Sequence, residues 1–298
     1  MKKGITLYGF IQPFLYWLFL GFAFLVKILP GCVSYHLGAG LGTLAFYFLK
    51  SRRDLTIDNI RKAQGLPAGT DAVKTAKACF RNLGLTGVEF LRYGWMPMRR
   101  RLKMFNVHGE ENLKKALEHG RGAIILTFHL GNWELLGALL NLLGHPPQPI
   151  VQNQSNKGFD QLVNFYRSKM GMKIIRKGLS LRHMLKAFAD NQLVAFLADQ
   201  HAGKDGITVE FFGRTASTPR GVAAVVEICR PPVIPSYIIR KSFEKHDVYF
   251  ESPLEMNRDP HLSKEERIHD NTVIITKKAE DVIKKAPEQW LWLHKRWR

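Results

Sequence analysis

The 298-residue chain is long for one compact domain and short for two large ones. Its apolar fraction of 46% is ample for a buried core and excludes wholesale disorder. The formal charge of +19 calls for an acidic partner, and with no reading helix or stacking platform in the sequence it points to an anionic membrane rather than to nucleic acid.

Residues 8–26, YGFIQPFLYWLFLGFAFLV, carry no charge and lie between Lys3 and Lys27. An apolar run of ~20 residues is what a bilayer core asks of a helix, and Trp17 suits an interfacial belt. No small-residue cleavage site ends the run, so an uncleaved anchor is expected in preference to a signal peptide. The expected division is therefore an N-terminal membrane anchor over 1–30 and one domain over 31–298. The next segment, CVSYHLGAGLGTLAFYFLKSRR, reads as a second hydrophobic helix, either on the membrane or in the core. It ends in Lys50, Arg52 and Arg53, which suit the cytoplasmic side.

The segment 54–64 is amphipathic at helical spacing through Leu55, Ile57 and Ile60, and 71–92 reads as another helix. GAIILTF, residues 122–128, is a nearly unbroken apolar run after a helix over 111–118, the pattern of a strand covered on both faces. A helix over 132–143 follows, ended by Gly144 and Pro146. Strands and helices then alternate: PIVQ, a helix over 159–170, MKIIRK, a helix over 180–189, and LVAFLAD. Thr218 at a cap and Pro219 at the first helical position predict another helix. PVIPSYIIR and VYFES read as strands, and 264–285 as a long helix. The alternation predicts an α/β fold. Cys32, Cys79 and Cys229 form no CxxC pair, so neither a zinc ribbon nor a disulfide framework is expected.

The chemistry concentrates in HLGNWE, residues 129–134, between the end of a buried strand and the mouth of a helix. Ligands of open α/β sheets bind at this strand edge. With His129 in the turn, Glu134 in the first helical turns is expected to reach back to the imidazole. A carboxylate on one ring nitrogen fixes the tautomer, and the other nitrogen is then able to take a proton from a hydroxyl. A bare His–Glu pair is more often structural than catalytic. HExxH is absent, and so is the GxSxG elbow of a serine acyl-enzyme.

Three further blocks extend the reading. FHLGNWELLG, LVAFLADQ with VEFFGRTASTPRGVA, and APEQWLWLHKRWR occur in that order behind the hydrophobic N-terminus. In these the chain resembles the bacterial lipid A late acyltransferases (the lauroyl/myristoyl acyltransferase family), within the wider glycerolipid acyltransferases. The resemblance implies a mixed central sheet covered by helices, with 31–298 as the acyltransferase domain, at the cytoplasmic face of the bacterial inner membrane. It also implies transfer of an acyl chain from an acyl carrier protein thioester to a hydroxyl of a lipid A precursor. His129 would be the base and Glu134 its charge partner, with no metal or organic cofactor required. Transfer to another membrane glycolipid or phospholipid, or from a coenzyme A thioester, is the alternative.

Further substrate-binding candidates follow. Backbone amides near Gly131 and Asn132 lie where a helix dipole favours an oxyanion. Arg167, matched to an active-site position of the family, suits oxyanion or phosphate binding. Asp199 and Gln200 end a buried strand on the edge expected for His129, and Asp199 suits positioning of the acceptor or of a basic side chain. Thr218 opens a helix that would face phosphate, with capping as its simpler role. Trp290, Trp292 and Trp297 with Lys295, Arg296 and Arg298 suit either membrane contact or docking on the core.

Overall fold

The computed structural model describes residues 8–151, 157–176 and 180–297. Helices lead the chain: α1 (Tyr8–Ile28), α2 (Gly31–Phe48), α3 (Lys50–Lys62), α4 (Ala72–Tyr93) and the short α5 (Met98–Leu102). Next come β1 (Phe105–His108), α6 (Glu110–Glu118), β2 (Ala123–Thr127), α7 (Trp133–Leu142), β3 (Gln148–Val151), α8 (Lys157–Lys169), β4 (Ile175–Arg176), α9 (Ser180–Ala189) and β5 (Leu193–Leu197). The chain closes with β6 (Ile207–Phe211), β7 (Arg214–Thr218), α10 (Gly221–Cys229), β8 (Val233–Ser242), β9 (Lys245–Phe250) and α11 (Lys264–Lys285).

The main sheet runs in the order β1-β9-β8-β2-β5-β3-β4. Its neighbours are parallel except for β8 and β9, which are antiparallel. The central strand β2 is buried along its whole length. Its alternation feeds two cores, with Ile124 and Leu126 on one face and Ala123 and Ile125 on the other. The first core holds α9, α10, α11 and the C-terminal tail, and the second holds α6, α7, α8 and the end of α1.

Local signals explain the helix ends. Asp71 caps α4 by accepting from the amides of Val73 and Lys74. Ser263 and Glu266 form a reciprocal capping box at the start of α11. The expected helix over 32–53 stops at Phe48, and α2 and α3 meet at 91°. The bend lets Asn59 of α3 donate to the carbonyls of Trp292 and His294 in the tail. α2 crosses α4 at backbone contact: a Cβ on Gly84 would lie 2.2 Å from the Gly38 carbonyl oxygen.

Among the described residues no single helix is long and apolar enough to cross a membrane, although α2 with α3 reaches that length and composition as a bent pair. α1 does not stand apart from the domain. Ala23 and Val26 are buried, and Arg92 of α4 donates to the carbonyls of Val26 and Leu29. The first seven residues of the expected anchor lie outside the described residues.

Four elements, the short helix α5 and the strands β1, β6 and β7, were not expected from sequence. β1 is a short edge strand, and β6 with β7 forms a separate two-stranded sheet. The helix predicted at Thr218 is corrected: Thr218 ends β7, and α10 starts at Gly221 after Arg220.

Candidate active site

β2 ends at Thr127, and the turn from Phe128 to Asn132 leads into α7. The turn presses against β8. Gly131 sits at φ +61, and a Cβ there would lie 2.0 Å from the Ile238 carbonyl oxygen, so only glycine fits. Asn132 caps α7 by accepting from the Leu135 amide. Its Nδ2 donates to Glu89 at 2.9 Å. Asn132 is fully buried and its side chain anchors the turn to α4, so a substrate contact from this residue falls to its backbone amide.

β2 and β5 are parallel neighbours with Thr127 opposite Leu197, so His129 and Asp199 each lie two residues beyond the register. Asp199 is 1% exposed. Its Oδ1 lies 2.7 Å from His129 Nδ1, and its Oδ2 accepts from the His129 amide at 2.7 Å. The same Oδ2 accepts from Trp290 Nε1 at 2.7 Å. Burial alone would push this carboxyl up, but the His129 charge and the surrounding donors outweigh it and hold Asp199 below the usual carboxylate range. An ionised Asp199 places the ring proton on Nδ1 and leaves Nε2 as an acceptor. The ring packs edge-on to Trp133 at 5.1 Å between centroids. Nε2 has no hydrogen-bond partner among the described residues.

The carboxylate on the imidazole is therefore Asp199, and the expected Glu134–His129 pairing is corrected. Glu134 lies in the first turn of α7 and faces α8, where Arg167 donates from Nε at 2.9 Å and from Nη2 at 2.5 Å. Burial works against the Arg167 cation, but this bidentate contact outweighs it and raises its pKa above the ordinary arginine value.

An apolar cleft opens beside this ion pair, lined by Ile125, Leu136, Leu140, Pro149, Val151 and Leu197. Trp133, Glu134 and Arg167 stand in its wall. Met172 rests on Gly137, where a Cβ would lie 2.7 Å from its sulfur. The Glu134–Arg167 pair thus puts charge in the wall of an apolar slot, and His129 adjoins it through its edge-on contact with Trp133.

The other expected site residues fall as follows. Gln200 is half-buried next to Asp199 and takes no part in these bonds. Thr218 is buried, and its hydroxyl accepts from Arg296 at 2.5 Å. The Gly131 amide, expected as an oxyanion donor, instead donates to the Gln289 carbonyl at 3.1 Å. The free first-turn amides of α7 are those of Trp133 and Glu134, which have no partner among the described residues.

Glu89 and Arg240 were missed, and Trp290 was read for membrane contact or tail docking but not for its bond to Asp199. The tail docks on the core: Trp290, Trp292 and Arg296 are buried, and Leu130 forms an antiparallel bridge with Trp290. Burial pushes the Arg296 guanidinium down to about 10, against the opposing pull of Asp199. Glu89 and Arg240 pair in the interior at 2.6 Å. A glutamate on the apolar face of α4 and an arginine closing the apolar run of β8 were the available signals, because buried charges must be paired. Cys79 lies nearby with its thiol donating to the Trp290 carbonyl, and burial pushes it up to about 12, which leaves it inert.

Comparison with known proteins places the chain in a family. The family model for the bacterial lipid A biosynthesis acyltransferases matches residues 1–298. The lipid A biosynthesis palmitoleoyltransferase of Escherichia coli is 27% identical, over 97% of this chain and 93% of its own length. The lipid A biosynthesis lauroyltransferase of the same organism is 26% identical, over 95% and 90%. A phosphatidylinositol mannoside acyltransferase of Mycolicibacterium smegmatis is 25% identical, over 45% and 46%. The chain is an O-acyltransferase and belongs to the bacterial lipid A biosynthesis acyltransferase family.

Proposed function

We propose that this enzyme transfers a fatty acyl chain from an acyl carrier protein thioester to a hydroxyl of a lipid A precursor. One observation carries the mechanism. A buried carboxylate, Asp199, holds His129 against Trp133, a wall residue of the apolar slot, with Nε2 unbonded among the described residues. Nε2 takes the proton of the acceptor hydroxyl as its oxygen attacks the thioester carbonyl. Asp199 stays ionised and stabilises the imidazolium. The tetrahedral oxyanion is met by Arg167 and the first-turn amides of α7. Its collapse breaks the carbon–sulfur bond, and the imidazolium returns its proton to the leaving thiolate. Glu134 keeps the Arg167 fork aimed at the site. The acyl chain lies along the apolar slot toward Met172.

The carrier is acidic, and the charge of +19 favours its approach. We further propose that the protein works on the cytoplasmic face of the inner membrane, with residues 1–30 as its anchor. Trp17, Phe24, Ile28, Leu44 and Phe48 of α1 and α2 are exposed, Lys50 and Arg52 open α3, and Lys77 and Arg81 of α4 donate to Tyr47 and Tyr35 of α2. That pairing of apolar surface and cations suits anionic lipid.

The test is transfer of a labelled acyl group by purified protein in vesicles with and without anionic lipid. Acyl carrier protein and coenzyme A thioesters are offered as donors, and a lipid A precursor and a phosphatidylinositol mannoside as acceptors. The expected product is acylated lipid A precursor, formed from the carrier thioester and faster on anionic vesicles. Transfer to the mannoside alone would replace this acceptor, and indifference to vesicles would refute the membrane role. Arg167→Ala is expected to lower kcat by roughly 10²–10³-fold. Arg167→Lys recovers little, because a point charge does not replace the fork. A wild-type kcat in Arg167→Ala would remove Arg167 from the mechanism.

A further inference from the structure

We propose that Trp290 is a positioning residue of the catalytic centre: its indole N–H locks the Asp199 carboxylate in the orientation that aims His129 at the acceptor hydroxyl. This rests on the reading of His129 as the base.

The Asp199 carboxylate has two unequal oxygens. Among the described residues Oδ1 bonds His129 Nδ1 alone, whereas Oδ2 accepts from both the His129 amide and Trp290 Nε1. A carboxylate rotates about its last side-chain bond unless both oxygens are held. The His129 amide moves with the turn that carries the imidazole, so it gives no independent reference. Trp290 supplies that reference, because it belongs to a different and firmly held segment.

The hold on that segment does not depend on the indole N–H. The Leu291 amide donates to the His129 carbonyl at 3.0 Å, and the Gly131 amide donates to the Gln289 carbonyl at 3.1 Å. The Gln289 side chain pairs with the backbone of Arg240, accepting at 2.8 Å and donating at 3.0 Å. Cys79 donates to the Trp290 carbonyl at 2.9 Å. The Trp290 ring packs against Phe211 and Trp292. The ring therefore stays in place without its N–H, and removal of that N–H acts on Asp199 alone.

A buried indole N–H needs some acceptor, so simple satisfaction is the competing explanation. Trp292 provides the internal control. It is 0% exposed, adjacent in space, and its indole N–H donates to the Pro287 carbonyl at 2.7 Å, away from Asp199. Trp290→Phe and Trp292→Phe each remove one buried hydrogen bond and keep an aromatic ring.

The experiment measures kcat and KM for acyl transfer in Trp290→Phe, Trp292→Phe, Asp199→Asn and the Trp290→Phe/Asp199→Asn double variant, with His129→Ala as reference and thermal melts as a folding control. Trp290→Phe is expected to lower kcat by roughly 10- to 100-fold, the size of one hydrogen bond to a charged group, with little change in KM. Trp292→Phe keeps the wild-type kcat. The double variant is no slower than Asp199→Asn alone, because both changes act through one carboxylate. Equal losses in the two Trp variants, or a multiplied loss in the double variant, would overturn the positioning role while His129→Ala stays inactive. Full turnover in His129→Ala would overturn the reading beneath it as well.

Discussion

Asp199→Asn lowers kcat by roughly 10⁴-fold, a loss far larger than that of a missing surface hydrogen bond. The reason is geometric. The His129 amide and the Trp290 indole both donate to Oδ2, so in the variant the amide oxygen must occupy that position. The NH₂ group then faces His129 Nδ1, 2.7 Å away in the native structure, and donates to it. The ring proton is driven onto Nε2, which leaves no base for the acceptor hydroxyl. Steady-state kinetics with a thermal melt tests this. The account expects a kcat loss with a near-native melting temperature, and a variant retaining more than about a tenth of wild-type kcat would refute the tautomer argument.

Glu89→Gln destabilises the fold by about 3–5 kcal/mol, a large share of the ~5–15 kcal/mol that holds a domain together. Glu89 is fully buried. It accepts from Arg240 at 2.6 and 3.2 Å, from Asn132 at 2.9 Å and from the Glu244 amide at 3.0 Å. Burial alone would push this carboxyl up, yet the Arg240 and then the His246 charge outweigh it and hold it well below the usual range. A depressed carboxylate adds stability above its unfolded pKa, and that stability is lost as pH falls through the folded value. Glu89→Gln therefore flattens the acid limb of the stability curve besides lowering its plateau. Glu89→Gln with Arg240→Met recovers part of the loss, since the Arg240 charge is then no longer buried without its carboxylate. Denaturant unfolding across pH reads all three effects, and an unchanged plateau in Glu89→Gln would contradict them.

The fold was legible where local signals and burial agree. The β2 run is apolar up to Thr127 and the β5 run throughout, and α11 carries its own capping box, so their extents follow from the residues themselves. The β6–β7 hairpin escaped notice because Phe212 and Gly213 form its turn, both at positive φ, where asparagine or aspartate would have announced it. Packing pins the conformation there: the Phe212 ring packs at a tilt against Trp292 and its amide donates to Glu280. The bend at Leu49 is likewise set by what α3 touches, namely the tail.

The site was half legible. His129 and Asp199 both close buried strands, which marked the edge. Their adjacency depends on β2 and β5 being neighbours while β3, between them in sequence, lies outside. No local pattern records that order. Glu134 was assigned to His129 by spacing, but Gly131 at φ +61 and the Asn132 cap turn the chain so that the first turn of α7 faces α8. The C-terminal block was noticed for its tryptophans. The bond of Trp290 to Asp199 required the antiparallel bridge between Leu130 and Trp290 to be seen.

The central claim is that His129, held by Asp199, is the base for acylation of a lipid A precursor. The most direct measurement is mass spectrometry of lipid A from cells lacking this gene, complemented with wild type or with His129→Ala at matched protein level. The account predicts lipid A heavier by one acyl group with wild type, and no such species with His129→Ala. The acylated species appearing equally with His129→Ala would contradict it.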